Sequence, residues 1–204
     1  MDSGEQFNRL MLKYIAALKV LETQIEIIND DFKYIKKYNP IEHIKSRIKS
    51  ADSIENKLLK ENREFTVENV EKYINDIVGI RIICAFKKDI YELIELIRRS
   101  DIIRVIKEKD YIDNPKKSGY RSYHIIAEVP VELINEKSYV KAEIQIRTLA
   151  MDLWASLDHK LSYKEDDCPE HILKKLYEVS NQMNEIDDEM NELIAEKQKL
   201  DSEK

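Results

Sequence analysis

Three polar side chains alternate with apolar ones in the segment AEIQIRT, and their chemistry could serve a reaction. Glu143, Gln145 and Arg147 fall on one face of an extended strand, and the residues between them fall on the other. A half-buried strand with a solvated polar face would give the same alternation. The sharper interpretation is a site floor, where Glu143 binds a metal ion or accepts a proton and the other two side chains hold an anionic substrate.

Two more polar clusters bear on that choice. Asp76 directly precedes a β-branched run that contains Arg81, and the segment GYRSYH places Tyr120 and His124 on one strand face. Two carboxylates from different strands can share Mg²⁺, and a tyrosine ring can stack on a base. Taken singly, Tyr120 is explained by ordinary packing, and His124 is explained as a core histidine with satisfied hydrogen bonds. Together, the clusters predict a magnesium-dependent, nucleotide-binding α/β domain.

A helix is predicted from about residue 40 to residue 61, with one basic face. That face contains Lys45, Lys49, Ser53, Lys57 and Lys60. A solvated lysine face is the commoner explanation of such a stripe. Arg47 is out of phase with it, so Arg47 has another role or the helix starts later. The chain has no glycine-rich phosphate loop, and we expect Gly79 and Gly119 to lie where a side chain would obstruct.

The order of the remaining elements predicts an α/β (α+β) fold with a mixed sheet of about five strands flanked by helices. Strands are predicted over 77–86, 102–109, 120–131 and 139–148, and helices over 5–37, 66–73, 89–99, 149–162 and from 170 onward. The first and last helices carry heptad seams, a pattern typical of helix-on-helix packing. We therefore predict an N-terminal assembly or packing helix (1–39), a catalytic domain (40–164) and an acidic oligomerisation helix (165–204).

Charge and composition narrow the class of protein. The 204 residues carry a net charge of −6, but residues 164–204 contain 6 basic and 13 acidic residues, so the rest is close to neutral. The acidity therefore does not argue against an anionic substrate in the body. No apolar run is long enough to span a membrane, and Cys84 and Cys168 form no disulfide framework. We expect a reduced, cytoplasmic protein.

Four segments resemble the synthetase domain of the RelA/SpoT family, specifically the stand-alone small alarmone synthetases of the RelQ type. They extend from about residue 46 to residue 164 and read SRIKSADSIENKL, NDIVGIRIIC, KDYIDNPKKSGYRSYHII and AEIQIRTLAMDLWASLDHKLSYK. The resemblance implies a nucleotidyltransferase-like synthetase fold. It also implies transfer of the β,γ-pyrophosphate of ATP to the 3′-hydroxyl of GTP or GDP.

The resemblance also implies roles for individual residues. Asp76 and Glu143 match the ligands of Mg²⁺, and Glu143 matches the candidate general base. ATP-binding residues would be Arg47, Lys49, Lys57 and Arg81. Residues around GTP or GDP would be Lys109, Lys116, Tyr120, His124, Gln145, Arg147 and Asp152. Asp152 stands where many RelQ-type members have asparagine, so the choice among GTP, GDP and GMP stays open.

Two other classes of function remain as alternatives. The fold could be a non-catalytic module that binds nucleotide or single-stranded RNA, with the basic residues and Tyr120 as groove and stacking platform. Asp76 and Glu143 argue against this, because a pure binder needs no metal-binding carboxylates. The heptad seams could instead mark an assembly protein. We interpret them as the assembly device of a homo-oligomeric enzyme, and the resemblance implies a tetramer.

Overall fold

A computed structural model describes residues 3–162 and 169–202 of the chain as one five-stranded sheet with six helices. The helices are α1 (Ser3–Lys36), α2 (Ala51–Lys60), α3 (Val67–Tyr73), α4 (Lys87–Arg98), α5 (Leu149–Ser162) and α6 (Glu170–Ser202). The strands are β1 (Ile41–Ile48), β2 (Val78–Cys84), β3 (Arg104–Asp110), β4 (Tyr123–Leu133) and β5 (Glu136–Thr148). This confirms the predicted α+β fold. Cys168 lies outside the described residues.

The sheet is mixed, with strand order β1-β2-β5-β4-β3. Only the central pair β2 and β5 is parallel, and all other neighbours are antiparallel. Parallel neighbours need a long connection between them, and here that connection includes α4, β3 and β4. β2, which follows Asp76, and β5, which contains Glu143, therefore lie side by side at the centre of the sheet.

One face of the sheet is apolar and forms the core with α1 and α4. The alternating residues Ile80, Ile82, Ile144 and Ile146 are buried on this face. Helix α1 lies across it and contributes buried Leu10, Tyr14, Ala17, Leu21 and Ile25. The prediction that the α1 seam packs on another helix is therefore wrong, because the seam packs on the sheet. Ile35, at the end of the predicted seam, is 60% exposed.

The predicted helix from residue 40 to residue 61 is wrong in its first half, which forms the edge strand β1. Ile41 pairs with Cys84, and Ile44 pairs with Ile82. A step of three positions along β1 therefore matches a step of two positions along β2, because Glu42 is an extra residue in the ladder. This bulge places two isoleucines three positions apart on one face, a spacing that imitates a helix. The helix itself begins at Ala51, where the Ser50 side chain accepts from the Ser53 backbone N–H.

Helix α6 packs against α5 and α4. Trp154 of α5 is buried there, and its Nε1 donates to the Leu176 carbonyl at 2.9 Å. The second half of the predicted seam on α6 stays exposed, with Ile186 50%, Met190 48% and Leu193 58% accessible. Among the described residues, no helix is both long and apolar enough to cross a membrane.

Candidate active site

Two rows of residues cross the polar face of the sheet. Within each row, every residue is paired directly with its neighbours on the adjacent strands. The first row contains Lys45, Arg81, Gln145, His124 and Lys109. The second row contains Arg47, Gly79, Glu143, Ile126 and Lys107. Directly paired residues share a face of the sheet, so the five strands build one continuous polar floor.

Gly79 lies in the second row between Arg47 and Glu143. A Cβ built there would come within 3.6 Å of Arg47 Cγ, an ordinary van der Waals contact. The prediction that a side chain would obstruct at Gly79 is therefore wrong for contacts with the protein. At Gly119 the prediction is confirmed, because φ is +92° and a Cβ would approach Ser180 Cβ to 2.8 Å.

Two clefts lie above this floor and meet at the two carboxylates. The first, here named the arginine cleft, has a volume of about 250 Å³ and is lined by Lys45, Ser46, Arg47, Asp76, Gly79, Ile80, Arg81, Glu143 and Gln145. The second, the lysine cleft, has a volume of about 320 Å³ and is lined by Lys57, Asn75, Asp76, Lys107, Lys109, Tyr111, Lys116, His124, Ile126 and Glu143. Asp76 and Glu143 thus form the boundary between a site rich in guanidinium groups and a site rich in ammonium groups.

Asp76 is held by two lysines. Lys49 Nζ lies 2.5 Å from Asp76 Oδ2, and Lys57 Nζ lies 2.9 Å from Asp76 Oδ1. Burial raises the pKa of the Asp76 carboxyl, but the hydrogen bonds and charges of the two lysines outweigh it and hold the pKa below its usual value. Asp76 is therefore ionised at neutral pH and attracts cations.

Glu143 is oriented by His124 and Gln145. His124 Nδ1 lies 3.1 Å from Glu143 Oε1, and Gln145 Nε2 donates to Glu143 Oε2 at 2.9 Å. Burial and the Asp76 charge raise the pKa of Glu143, but the interactions with His124 and Gln145 lower it by more. The pKa of Glu143 therefore lies below its usual value. Glu143 is thus a fixed carboxylate that accepts hydrogen bonds on both oxygens.

The hydrogen-bond chain continues from His124 away from the carboxylates. His124 Nε2 lies 2.8 Å from the Tyr120 hydroxyl, and Arg147 Nη2 donates to that hydroxyl at 2.7 Å. Because Glu143 only accepts, His124 Nδ1 carries a hydrogen, and in the neutral imidazole Nε2 accepts from Tyr120. The tyrosine ring is therefore fixed in orientation at one edge of the lysine cleft.

Asp152 closes the chain by bridging two arginines. Its Oδ1 accepts from Arg147 Nη1 at 2.9 Å and from Arg81 Nη1 at 3.2 Å. Burial and the Arg147 charge lower the pKa of Arg81, and Asp152 opposes that shift. A continuous path of side chains therefore joins Glu143, through His124, Tyr120, Arg147 and Asp152, to Arg81 in the arginine cleft.

The structure brings the predicted site residues together, although not all of them line a cleft. Arg47, Lys57, Asp76, Arg81, Lys109, Lys116, His124, Glu143 and Gln145 do so. Lys49 reaches the site through Asp76, whereas Tyr120, Arg147 and Asp152 line neither cleft and are joined to the cleft residues His124 and Arg81 by hydrogen bonds. Arg147 is only 4% exposed. It donates hydrogen bonds to Tyr120, Gln145 and Asp152, and its predicted contact with an anionic substrate stays a prediction.

Sequence reasoning missed several lining residues, above all Tyr111. Its ring lies 5.3 Å from His124 and 6.2 Å from Tyr120, and Lys116 Nζ lies 5.0 Å from its centroid. Tyr111 directly follows β3, and no motif identified in the sequence includes it. Lys45 and Lys107 were missed as cleft residues too, and strand pairing with Arg81 and Ile126 is what places them there. Alternation with Lys109 in β3 could have indicated Lys107, whereas Lys45 lies on a strand that was predicted as helix.

The donor set fits magnesium better than a structural transition metal. Among the described residues, no group of three or more histidine, cysteine, aspartate or glutamate side chains could hold a metal ion. Asp76 and Glu143 supply two carboxylates at one point between the clefts. Mg²⁺ typically takes one or two carboxylates, and completes its shell with water and substrate phosphates. The site fits that pattern.

Comparison with known proteins identifies the family. A profile described as a region found in RelA / SpoT proteins matches residues 46–168. The chain belongs to the RelA/SpoT family. It is 47% identical over 177 residues to the GTP pyrophosphokinase YwaC of Bacillus subtilis (strain 168), a match that covers 86% of this chain and 84% of that protein.

Solved structures agree with this assignment. The small alarmone synthetase 2 of Bacillus subtilis superposes with a TM-score of 0.82 at 44% identity, covering 91% of this chain and 97% of that one. The small alarmone synthetase 1 of the same organism, bound to its product pppGpp, superposes with a TM-score of 0.84 at 34% identity, covering 95% and 99%. The resemblance to small alarmone synthetases is therefore confirmed over nearly the whole length of the chain.

Proposed function

We propose that this protein is a GTP pyrophosphokinase, which transfers the β,γ-pyrophosphate of ATP to the 3′-hydroxyl of GTP or GDP and releases AMP. The observation that carries the proposal is the pair of clefts that meet at Asp76 and Glu143. A transfer between two nucleotides needs two binding sites that share one reaction point. The relative at 47% identity, named a GTP pyrophosphokinase, supports the same reaction.

The arginine cleft suits ATP. Arg47 and Arg81 offer planar guanidinium groups on adjacent strands, which can stack on the two sides of an adenine. Lys49 and Lys57 lie next to Asp76, where the phosphates would reach the boundary between the clefts. In the absence of phosphate both lysines neutralise Asp76, and they can turn to phosphate oxygens when a metal ion takes their place.

The lysine cleft suits the guanosine acceptor. Lys109 and Lys116 supply positive charge for its phosphates, and Tyr120 supplies an aromatic face beside them. His124 connects that region to Glu143, whose other carboxylate oxygen accepts from Gln145 of the arginine cleft. An acceptor bound here would present its ribose to the carboxylate.

The chemistry follows from this arrangement. The acceptor 3′-oxygen attacks the β-phosphorus of ATP, the bond from that phosphorus to the α,β-bridging oxygen breaks, and AMP leaves with the oxygen. Glu143 takes the proton of the 3′-hydroxyl as the new bond forms, while His124 and Gln145 hold the carboxylate in place. Asp76 and Glu143 would hold Mg²⁺, which supplies neutralisation of phosphate charge when bound. The arginines and lysines of both clefts position the two substrates.

The proposal is tested with purified protein, Mg²⁺ and ATP labelled in its β- or γ-phosphate. Each of GTP, GDP and GMP is offered as acceptor, and the products are separated by thin-layer chromatography. A guanosine nucleotide that carries the label, formed together with AMP, is the expected result and also identifies the preferred acceptor. ATP that stays intact with all three acceptors would contradict the proposal.

A binding module for nucleotide or single-stranded RNA is the second candidate. The lysine cleft favours it, because it combines four lysines with Tyr111 in one groove. Retention of RNA by the protein in the same buffer, with no labelled product from any acceptor, would favour this function. Transfer of label to a guanosine nucleotide decides for the enzyme.

Assembly and location complete the proposal. The exposed apolar rows on α5 and α6 support a homo-oligomer, with a tetramer as the expected size. The free thiol of buried Cys84 and the nucleotide substrates support a cytoplasmic location.

A further inference from the structure

The loop between β3 and β4, here named the acceptor loop (residues 111–122), is fastened to the C-terminal helix at Gly119. Ser180 Oγ of α6 donates to the Gly119 carbonyl oxygen at 2.5 Å, and both residues are buried. The left-handed φ of Gly119 and the absence of a Cβ let the loop backbone contact the helix directly. The loop that carries Lys116 and Tyr120 thus rests on α6.

Arg121 makes a second attachment to the same helix. Its Nη2 donates to Asn181 Oδ1 at 3.3 Å, and its Nη1 donates to the Ile112 carbonyl at 2.6 Å. One guanidinium therefore ties the beginning of the acceptor loop to its end and ties both to α6. Adjacent residues of the helix, Ser180 and Asn181, provide the two attachments.

Helix α6 can support the loop because it is itself fixed to the domain. Thr148 Oγ1 donates to Asp187 Oδ2 at 2.6 Å, and Lys87 Nζ donates to Asn184 Oδ1 at 2.8 Å. The indole of Trp154 adds its hydrogen bond to the Leu176 carbonyl. Tyr111 and Lys116 of the acceptor loop line the lysine cleft, whereas none of the described residues that line the arginine cleft belongs to that loop. The attachments of α6 to the loop therefore act on the lysine cleft.

We propose that Ser180 and Asn181 are positioning residues for the acceptor nucleotide. They hold the acceptor loop in the conformation that brings Lys116 and Tyr120 to the lysine cleft, so binding does not have to order the loop. The C-terminal helix thereby sets the affinity for the guanosine nucleotide independently of the affinity for ATP. The assignment of a guanosine nucleotide as the acceptor rests on the proposed function. The expectation that Ser180 and Asn181 affect the lysine cleft and not the arginine cleft does not rest on it.

The test compares Ser180→Ala, Asn181→Ala and the double variant with the wild-type protein. Titration calorimetry with GDP and, separately, with α,β-methylene-ATP measures the two sites without turnover. We expect the dissociation constant for GDP to rise about tenfold in the double variant, equivalent to about 1.4 kcal/mol, with the constant for the ATP analogue unchanged. In steady-state assays the KM for the acceptor should rise in parallel, with little change in kcat.

The matched control is Gln182→Ala, which alters an exposed neighbour on the same helix. Circular dichroism verifies folding, and Asn181→Ala at a half-buried position keeps the test available if Ser180→Ala unfolds. An unchanged GDP constant, or an equal loss for both nucleotides, would overturn the inference. If the wild-type protein transfers no pyrophosphate at all, the proposed function fails, but the GDP titration still decides whether α6 positions the loop.

Discussion

Glu143 is the residue on which transfer depends most directly, because its carboxylate is fixed where the two clefts meet. Glu143→Gln keeps the shape of the side chain and removes its negative charge and its capacity to accept a proton. We expect the turnover number to fall at least about 100-fold. The affinity for α,β-methylene-ATP should change little, because the arginine cleft and the two lysines at Asp76 remain. Product chromatography and calorimetry measure the two effects.

Glu132→Gln, on the exposed end of β4, is the control for that substitution. It should leave turnover and affinity as they are. Loss of ATP binding in Glu143→Gln would contradict the general-base assignment, since the residue would then act chiefly in substrate binding.

Asp152 joins the two nucleotide sites through its bridge between Arg81 and Arg147. Asp152→Asn leaves two guanidinium groups facing each other without the carboxylate between them. We expect the free energy of unfolding to fall by about 1–3 kcal/mol, because Arg147 is buried and loses a charged partner. Both nucleotides should bind more weakly, since Arg81 and Tyr120 lose their common support. Urea denaturation and calorimetry measure these changes.

Asp101→Asn removes an exposed carboxylate and is the control for the loss of charge. If Asp152→Asn weakens only the guanosine nucleotide, then the side chain contacts the acceptor and does not act through the bridge.

At the scale of elements, the start of α4 contains a buried acid. Asp89 is fully buried, and its Oδ1 accepts from the Tyr38 hydroxyl at 2.5 Å. Burial raises the pKa of Asp89 above its usual value, so the folded protein disfavours the ionised carboxyl. Wild-type stability is therefore reduced as pH rises from below that usual value through the folded pKa. Asp89→Asn does not titrate, so its stability relative to wild type should rise over that range.

Urea denaturation measures the stability difference between Asp89→Asn and wild type at a series of pH values from about 3.5 to 8. Carboxyl groups in folded proteins titrate over about this range. Asp52→Asn, at an exposed position in the first turn of α2, is the control and should show no such trend. A stability difference for Asp89→Asn that does not change with pH would contradict the prediction.

The elements that the sequence predicted well are those with an uninterrupted period. Alternation in β5 and the capped start of α3 at Thr66 agree with the structure, because burial on one face and a side-chain cap act locally. β1 was predicted as helix because Ile44 and Ile48 are four positions apart, a spacing that puts two residues on one face of a helix and of a strand alike. Only its partner strand determines that conformation, and a partner is not visible in the residues of β1 alone.

The candidate site also has a part that was predictable from the sequence and a part that was not. The motif residues Asp76, Tyr120, His124 and Glu143 were predicted to lie together, and the structure joins the last three by hydrogen bonds. The supports of the site could not be predicted in this way. Ser180 lies 61 positions from Gly119 along the chain, and a single serine in a helix gives no signal of what it holds.

At the scale of the whole molecule, two helices leave apolar rows uncovered. Helix α5 exposes Leu149, Leu153, Leu157 and Leu161, each about half accessible or slightly less. On α6, Met190 and Leu193 are exposed. Met190→Glu combined with Leu193→Glu should prevent burial of that row between subunits, because charged groups are costly in an apolar interface. Light scattering coupled to gel filtration should then show a smaller assembly than the wild-type protein.

Glu189→Gln, an exposed neighbour, is the control for that change and should keep the wild-type mass. Equal masses for wild type and the double glutamate variant would mean that this part of α6 is not a subunit interface.

The tight turn between β4 and β5 has a consequence for dissecting the molecule. Ile134 at its tip is fully exposed, and the two strands that flank it pair along their whole length. A cut at this tip would leave Asp76 on one fragment and Glu143 on the other, with β5 inserted between β2 and β4 in the intact sheet. Neither fragment alone could catalyse the transfer. Alarmone synthesis would then report the reassociation of two separately expressed halves, which makes the fold a candidate for a split-enzyme sensor.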